Sequence, residues 1–326
     1  MSDALLAIAP GPYVTVQDSG RRGWRRFGVS GAGAMDIVAL HLANALVGNP
    51  ADTAALEFAH VGGTWEIAAE SCRIAVTGGD FAMSADGVPL AAWRSHTLVR
   101  GQLLTIGGTR DAVWGYLAVA GGFDIAARLG SVATHLGSGL GGANGRRLAG
   151  GDALPLLISR APMGPERRSA PQRHAHGPMR VVLGPQDDFF APETVEAFLG
   201  ATWRVTHRAD RMGTWLEGPK LAHARGFNVV SDGLVPGCIQ VPGGGQPVVL
   251  LMDCQTLGGY PKLATIVTAD LPRFTQTRPG RHVTFAAVDI ATAHGLYREH
   301  QTRLAELKHL LHDVPEAPAR RLPSHW

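Results

Sequence analysis

Hydrophobic and polar positions alternate over short stretches through most of this chain, and that period of two predicts strands. Between residues 53 and 157 the runs 65–68, 73–77, 103–106 and 116–120 are separated by Gly78-Gly79, Asp86-Gly87 and Gly107-Gly108. Asp86-Gly87 is a strong signal for a hairpin turn. Val14 and Val16 open an earlier strand. The second half continues in the same style at 179–183, 203–206, 227–230, 238–241, 247–252, 264–267 and 282–285. Such spacing predicts barrels or sandwiches of short strands.

Three segments depart from this period. Residues 37–47 read as a helix, with Asp36 at its N-cap or first turn and Gly48 and Pro50 as its stop. A short helix is expected at 192–199, where Pro192 suits the first turn. Residues 289–311 place Leu304, Leu307 and Leu311 on one face, which predicts a helix packed on a barrel or a partner. The tail from 314 to 326 is expected to fray.

The two halves echo each other. Each has a polar Gly/Arg loop, apolar strand segments and a closing Gly-x-x-x-Thr run, Gly101 to Thr105 and Gly280 to Thr284. This weak repeat suggests two related barrels. Residues 159–177, rich in Pro, Arg and His, read as a linker. The expected layout is a β domain over 1–158, the linker, a second β domain over 178–290, and a helix with its tail over 291–326.

Composition narrows the function classes. A chain of 326 residues at 45% hydrophobic and 17% charged buries a substantial core. A net charge of +3 with no basic run interleaved with aromatics does not argue for nucleic acid. No apolar run approaches the roughly 18 residues of a membrane span, and the first ten residues lack the pattern of a signal peptide. Three cysteines without metal-ligand spacing complete the expectation of a soluble, cytoplasmic protein.

Candidate chemistry concentrates where the apolar run 247–252 ends, in Asp253-Cys-Gln-Thr-Leu-Gly-Gly-Tyr-Pro-Lys262. A carboxylate, an amide, a phenol and one of only three lysines stand beside a Gly-Gly pair that permits close backbone approach. A tight turn with ordinary polar decoration has the same appearance. Residues 17–28 form a second polar loop, where Gln17, Asp18 and Arg21 are candidates and an arginine can hold a carboxylate or phosphate bidentately. The Gly-rich loop before Asp36 is an anion site if the helix N–H groups are free, although capping alone also accounts for Asp36. The glycines from 130 to 142 form a flexible loop without a phosphate-loop pattern. His174 and His176 lack a third ligand, so no metal site is expected.

Several ordered strings taken together resemble one family. They are Val16-Gln-Asp-Ser-Gly-Arg21, Gly33-Ala-Met-Asp36, Val47-Gly-Asn-Pro50, Tyr116-Leu-Ala-Val-Ala-Gly-Gly122, Gly184-Pro-Gln-Asp-Asp188, Asp210-Arg-Met-Gly213, Ile239-Gln-Val-Pro242 and Gln255-Thr-Leu-Gly-Gly-Tyr-Pro261. The chain resembles, from about residue 10 to 290, the biotin-dependent carboxyltransferase-like family, also called the allophanate hydrolase subunit 2 family. The C subunits of 5-oxoprolinases belong to it. Cys254 departs from the Arg, and His135 from the Tyr, that many members carry.

The resemblance implies a mainly β protein of two cyclophilin-like β-barrel domains. It implies two partners, a 5-oxoprolinase B subunit of the allophanate hydrolase subunit 1 type and an A subunit. Together they open 5-oxo-L-proline to L-glutamate, with ATP used at the level of the complex. One alternative it implies is a carboxyltransferase component for urea or another small amide, with biotin carried by another chain. Another is a non-catalytic regulator of a histidine-kinase inhibitor. On these expectations Asp253 positions a substrate N–H or water, and Gln240 and Gln255 orient the amide. Tyr260 and Lys262 stabilise charge developing on oxygen, and Arg211 holds a carboxylate or phosphate. Gln17, Asp18, Arg21 and Asp36 are secondary substrate-binding candidates.

Overall fold

The computed structural model describes residues 3–172, 174 and 176–315. Over the described residues the chain is mainly β with four α-helices. In the first half a six-stranded antiparallel sheet runs in the order Ala153–Pro155, Ala4–Pro10, Val61–Ile67, Leu103–Gly108, Met83–Ala85, Val88–Leu90. It faces a five-stranded antiparallel sheet of Val14–Gln17, Ala55–Ala59, Trp114–Val119, Ser71–Thr77 and Ser95–Val99. The apolar residues of both inner faces, among them Leu5, Trp65, Leu56, Ile74 and Leu117, fill the space between. Asp86 and Gly87 form the two-residue turn of one hairpin, both at positive φ (48° and 81°), as the sequence predicts.

Trp114–Val119 is buried at all six positions, so it reads as a continuous apolar run rather than an alternating one. Its second face is covered by helix α1, Ile37–Val47. Asp36 caps that helix, with Oδ1 accepting from the N–H groups of Val38 and Ala39 at 3.1 Å each. Gly48, at φ 86°, ends it. The helix is apolar on nearly all sides because its other flank packs on Trp93 and Leu307. Each fully buried leucine there, Leu40 and Leu42, contributes about 1.5–3 kcal/mol.

The second half is built on an eight-stranded sheet ordered His282–Val283, Trp203–Ala209, Gly213–Glu217, Val248–Leu250, Cys238–Gln240, Lys262–Ile266, Met179–Leu183, Phe285–Ala287. Its two edge strands are separated in sequence by Thr284 alone, so the sheet curls until it is nearly a closed barrel. Helix α2, Pro192–Gly200, lays Phe198 against Trp203 and Phe285. Helix α3, Leu271–Thr275, sits at the boundary with the first half.

Several expectations need correction. Residues 227–230 form no strand, because Val230 finds no face to bury and stays 92% exposed. Asp232–Gly233 pairs with Leu257–Gly258 instead. The last helix, α4, covers Ile290–Glu306 and tightens into a 3-10 turn at Leu307–Leu310. Its leucines pack back onto α1 of the first half. Within 159–177, Glu166 pairs with Arg94 at 2.8 Å and Arg167–Arg168 pairs with His312–Asp313, so residues 166–168 are tied to the body of the protein. The tail expected to fray lies, from residue 316 on, outside the described residues. No helix among the described residues is long and apolar enough to cross a membrane.

Candidate functional site

The two halves meet along a seam whose centre is Arg211. It lies on the turn joining Trp203–Ala209 to Gly213–Glu217, where Asp210 Oδ1 accepts from the N–H groups of Met212 and Gly213 at 2.8 and 3.1 Å. That turn sends the Arg211 side chain inward, where it is 1% exposed. Its Nε and Nη2 donate to the two oxygens of Asp253 at 3.0 and 2.8 Å, Nη2 also donates to Gly33 O at 2.7 Å, and Nη1 donates to Glu57. Glu57 in turn accepts from Met35 N–H at 2.8 Å and from the Tyr116 hydroxyl at 2.7 Å. Burial works against the charge on Arg211, but Asp253 and Glu57 outweigh it and raise its pKa. Burial also pushes the Tyr116 phenol well up, with Glu57 and Asp36 adding to it, so it stays protonated and donates.

Further along the seam Gln276 bridges the halves. Its Oε1 accepts from Val113 and Trp114 N–H at 3.0 and 2.9 Å, and its Nε2 donates to Asp36 Oδ2 at 3.0 Å. Asp36 is therefore consumed by its helix and by Gln276. The helix N–H groups that the sequence offers to an anion are already capped. Burial raises the Asp36 pKa, but hydrogen bonds from His174 and Gln276 reverse this and leave it below the ordinary value.

The other predicted residues also have protein partners. Gln17 Nε2 donates to Thr134 O at 3.0 Å, and Asp18 accepts from Ser131 Oγ and Val132 N at 2.7 and 2.8 Å. Arg21 Nε donates to Arg128 O at 3.1 Å, and Nη2 reaches Ala133 O. These three side chains hold the 130–142 loop in place, which the sequence reads as flexible. Gly141 is required there, because its φ is 78° and a Cβ would lie 2.1 Å from the backbone oxygen of Ala133. Gln240 donates to Tyr260 O at 3.1 Å, while the Tyr260 ring itself is 42% exposed. Lys262 is buried and donates to Asp232 and to Gly233 O. Of the predicted set, only Asp253, Gln255 and Arg211 line one cavity together.

That cavity is an open cleft of about 740 Å³ along the same seam. Its walls include Tyr13, Ser30, His135, Ser138, Arg147 and Asp210. His135 Nε2 lies 3.3 Å from Asp253 O, which can only accept, so Nε2 carries the proton. The lone pair on Nδ1 then accepts from the Ser138 hydroxyl at 2.7 Å. The Arg147 guanidinium stacks over the Tyr13 ring at 4.0 Å from its centroid. Burial raises the Tyr13 phenol to about 12, so the ring is neutral at physiological pH. The cleft thus offers an imidazole edge, a hydroxyl, a carboxylate, a guanidinium and the exposed amide of Gln255. These groups suit a small polar molecule that both donates and accepts hydrogen bonds.

Sequence reasoning misses Tyr13, Ser30, Ser138 and Arg147, gives Asp210 no role in the site, and marks His135 only as a departure from the family pattern that could alter substrate or partner contacts. One signal is available: Arg146-Arg147 follows the Gly-rich loop closely, which is the segment most able to approach a ligand. No group of three or more His, Cys, Asp or Glu side chains suited to a metal occurs among the described residues.

Comparison with known proteins places this architecture. The family described as carboxyltransferase domain, subdomain A and B, matches residues 27–287. The 5-oxoprolinase C subunit of Escherichia coli (strain K12) is 36% identical over 309 residues, covering 95% of this chain and 99% of that protein. The urea amidolyase of Saccharomyces cerevisiae is 31% identical over 326 residues, covering 93% of this chain but 18% of the relative. The crystal structure of the Kluyveromyces lactis urea carboxylase superposes with a TM-score of 0.84 at 29% identity, over 94% of this chain and 29% of that one.

Proposed function

Because the chain belongs to the carboxyltransferase domain family, subdomains A and B, we propose that it is the C subunit of a 5-oxoprolinase, acting on 5-oxo-L-proline to give L-glutamate. The observation that carries this reading is the end-to-end match to a stand-alone protein, 99% of the 5-oxoprolinase C subunit of Escherichia coli. The urea amidolyase relative contains the same region as under a fifth of a much longer chain. The cleft chemistry supports an amide substrate, since Asp210 can accept an N–H while the exposed Gln255 amide can donate to oxygen.

In this proposal the chain works in the cytoplasm with a B subunit of the allophanate hydrolase subunit 1 type and with an A subunit. ATP is used by the assembly. The Gly-rich 130–142 loop turns carbonyl groups toward Arg21, the opposite polarity from a phosphate cradle, so we assign the nucleotide to a partner. A urea carboxyltransferase role, with biotin on a partner chain, is the second reading, favoured by the superposition on the urea carboxylase.

Reconstitution separates the two. The chain is purified with its partner subunits and offered ATP with either 5-oxo-L-proline or urea. Glutamate release from 5-oxo-L-proline is the expected result. Bicarbonate- and urea-dependent ATP hydrolysis with a biotinylated partner, and no glutamate, overturns it.

A further inference from the structure

A second, more enclosed chamber of about 340 Å³ lies behind the cleft. Its walls are largely apolar, with Met35, Val113, Trp114, Val205, Leu251 and Phe274 contributed by both halves. Three residues, Tyr13, Arg147 and Asp210, line the cleft and the chamber alike, so they form the partition between them. The Tyr13 ring is fixed from two sides, edge-on to Trp114 at 5.8 Å and beneath Arg147 at 4.0 Å.

Two neighbouring arginines make a useful contrast. Arg146 is neutralised by a bidentate pair with Asp152, at 2.7 Å for both bonds. Arg147 forms no ion pair among the described residues, and the one protein hydrogen bond its side chain makes there is a long one of 3.5 Å to Pro12 O. Its fork of N–H donors stands at a boundary between polar and apolar space. Among the described residues Asp210 spends only Oδ1, and spends it on its own turn.

We infer that Arg147 is the specificity residue for a five-membered lactam bearing a carboxylate: the carboxylate pairs with Arg147, the ring enters the apolar chamber, and the ring N–H donates to Asp210. This rests on the 5-oxoprolinase reading and deepens it. A free guanidinium beside an apolar chamber recognises a charged carboxylate attached to a hydrocarbon ring. Urea has neither group, so the same partition disfavours it.

The test uses the reconstituted complex and compares wild type, Arg147→Gln and Arg147→Lys. With 5-oxo-L-proline, R147Q raises KM on the order of 10- to 100-fold, the value of a charge-assisted hydrogen bond, while kcat stays within about threefold. R147K restores part of the loss. As a competing ligand, 5-oxo-L-prolinamide, which lacks the charge, inhibits wild type and R147Q equally. An active wild type whose R147Q variant keeps its KM, or loses affinity for the amide as much as for the acid, overturns the inference alone. A wild-type complex that releases no glutamate overturns the 5-oxoprolinase reading, and this inference falls with it.

Discussion

The seam around Arg211 and the cleft beside it lie between the same two halves and are built from the same kinds of residue, yet they do opposite work. In the seam each charged group is matched: Arg211 by Asp253 and Glu57, Glu57 also by Met35 N–H and Tyr116, and Asp36 by its helix and Gln276. In the cleft Arg147 forms no ion pair among the described residues and Asp210 keeps one oxygen in reserve. A buried polar group that is fully satisfied has no bond left to offer a ligand. The difference separates residues that hold the halves together from residues that can recognise something else.

The strongest way to break this comparison is Arg211→Met. It leaves Asp253 and Glu57 buried with their main partner gone, which costs about 3–5 kcal/mol. Urea unfolding monitored by tryptophan fluorescence measures it, and a loss below about 1 kcal/mol would show that Arg211 is not the strut described. Replacing Arg211, Glu57 and Asp253 together by apolar residues of similar volume recovers most of the stability, because no charge is then stranded. Asp36→Ala follows in size. It removes the one acceptor shared by two N–H groups of α1 and one partner of Gln276, at a cost of about 1–2 kcal/mol. Asp36→Asn, which keeps a capping oxygen, loses less in the same denaturation.

These two regions also explain what the sequence could and could not tell. Helix α1 was readable to the residue, because Asp36 and Gly48 carry local signals that fix both ends. The strands were readable by period, and 227–230 failed because alternation says nothing about whether a covering face exists. The strand-end stretch pointed to Asp253 and the family strings include Arg211 and Asp36, and the structure brings these three into one neighbourhood. Their roles were not legible, because a sequence shows that a carboxylate is present and not that both its oxygens are taken. Arg147 and Tyr13 were missed for the converse reason. They lie far apart in the chain, and only the closing of the first half stacks one on the other.

The cleft should respond differently from the seam. His135→Ala changes unfolding free energy by less than about 0.5 kcal/mol, since the ring is partly exposed and makes only two hydrogen bonds among the described residues. It removes the acceptor that orients the Ser138 hydroxyl, and turnover by the reconstituted complex falls about 10-fold, the value of one hydrogen bond. A stability loss as large as that of Asp36→Ala, with turnover unchanged, would move His135 from the cleft to the seam.

The smallest effect sharpens the comparison at a pair that belongs to neither extreme. Lys262 is buried, but its partner Asp232 is half exposed on the short ribbon formed with Leu257–Gly258. Hydrogen bonding to Lys262 lowers the Asp232 pKa to about 2. An acid depressed in the folded state adds stability above its unfolded value, near about 3.9, and loses it as pH falls toward the folded one. The contribution is therefore intact at about pH 5, mostly lost by about pH 2 and gone near about pH 1. Solvent screening at an exposed carboxylate keeps it small. Side-chain NMR titration of Asp232 gives a midpoint near about 2 in the wild type, and Lys262→Met moves that midpoint up toward the ordinary value. A wild-type midpoint already near about 3.9 would mean that Lys262 is not held by Asp232 in solution, and would return the lysine to the set of groups free to meet a substrate.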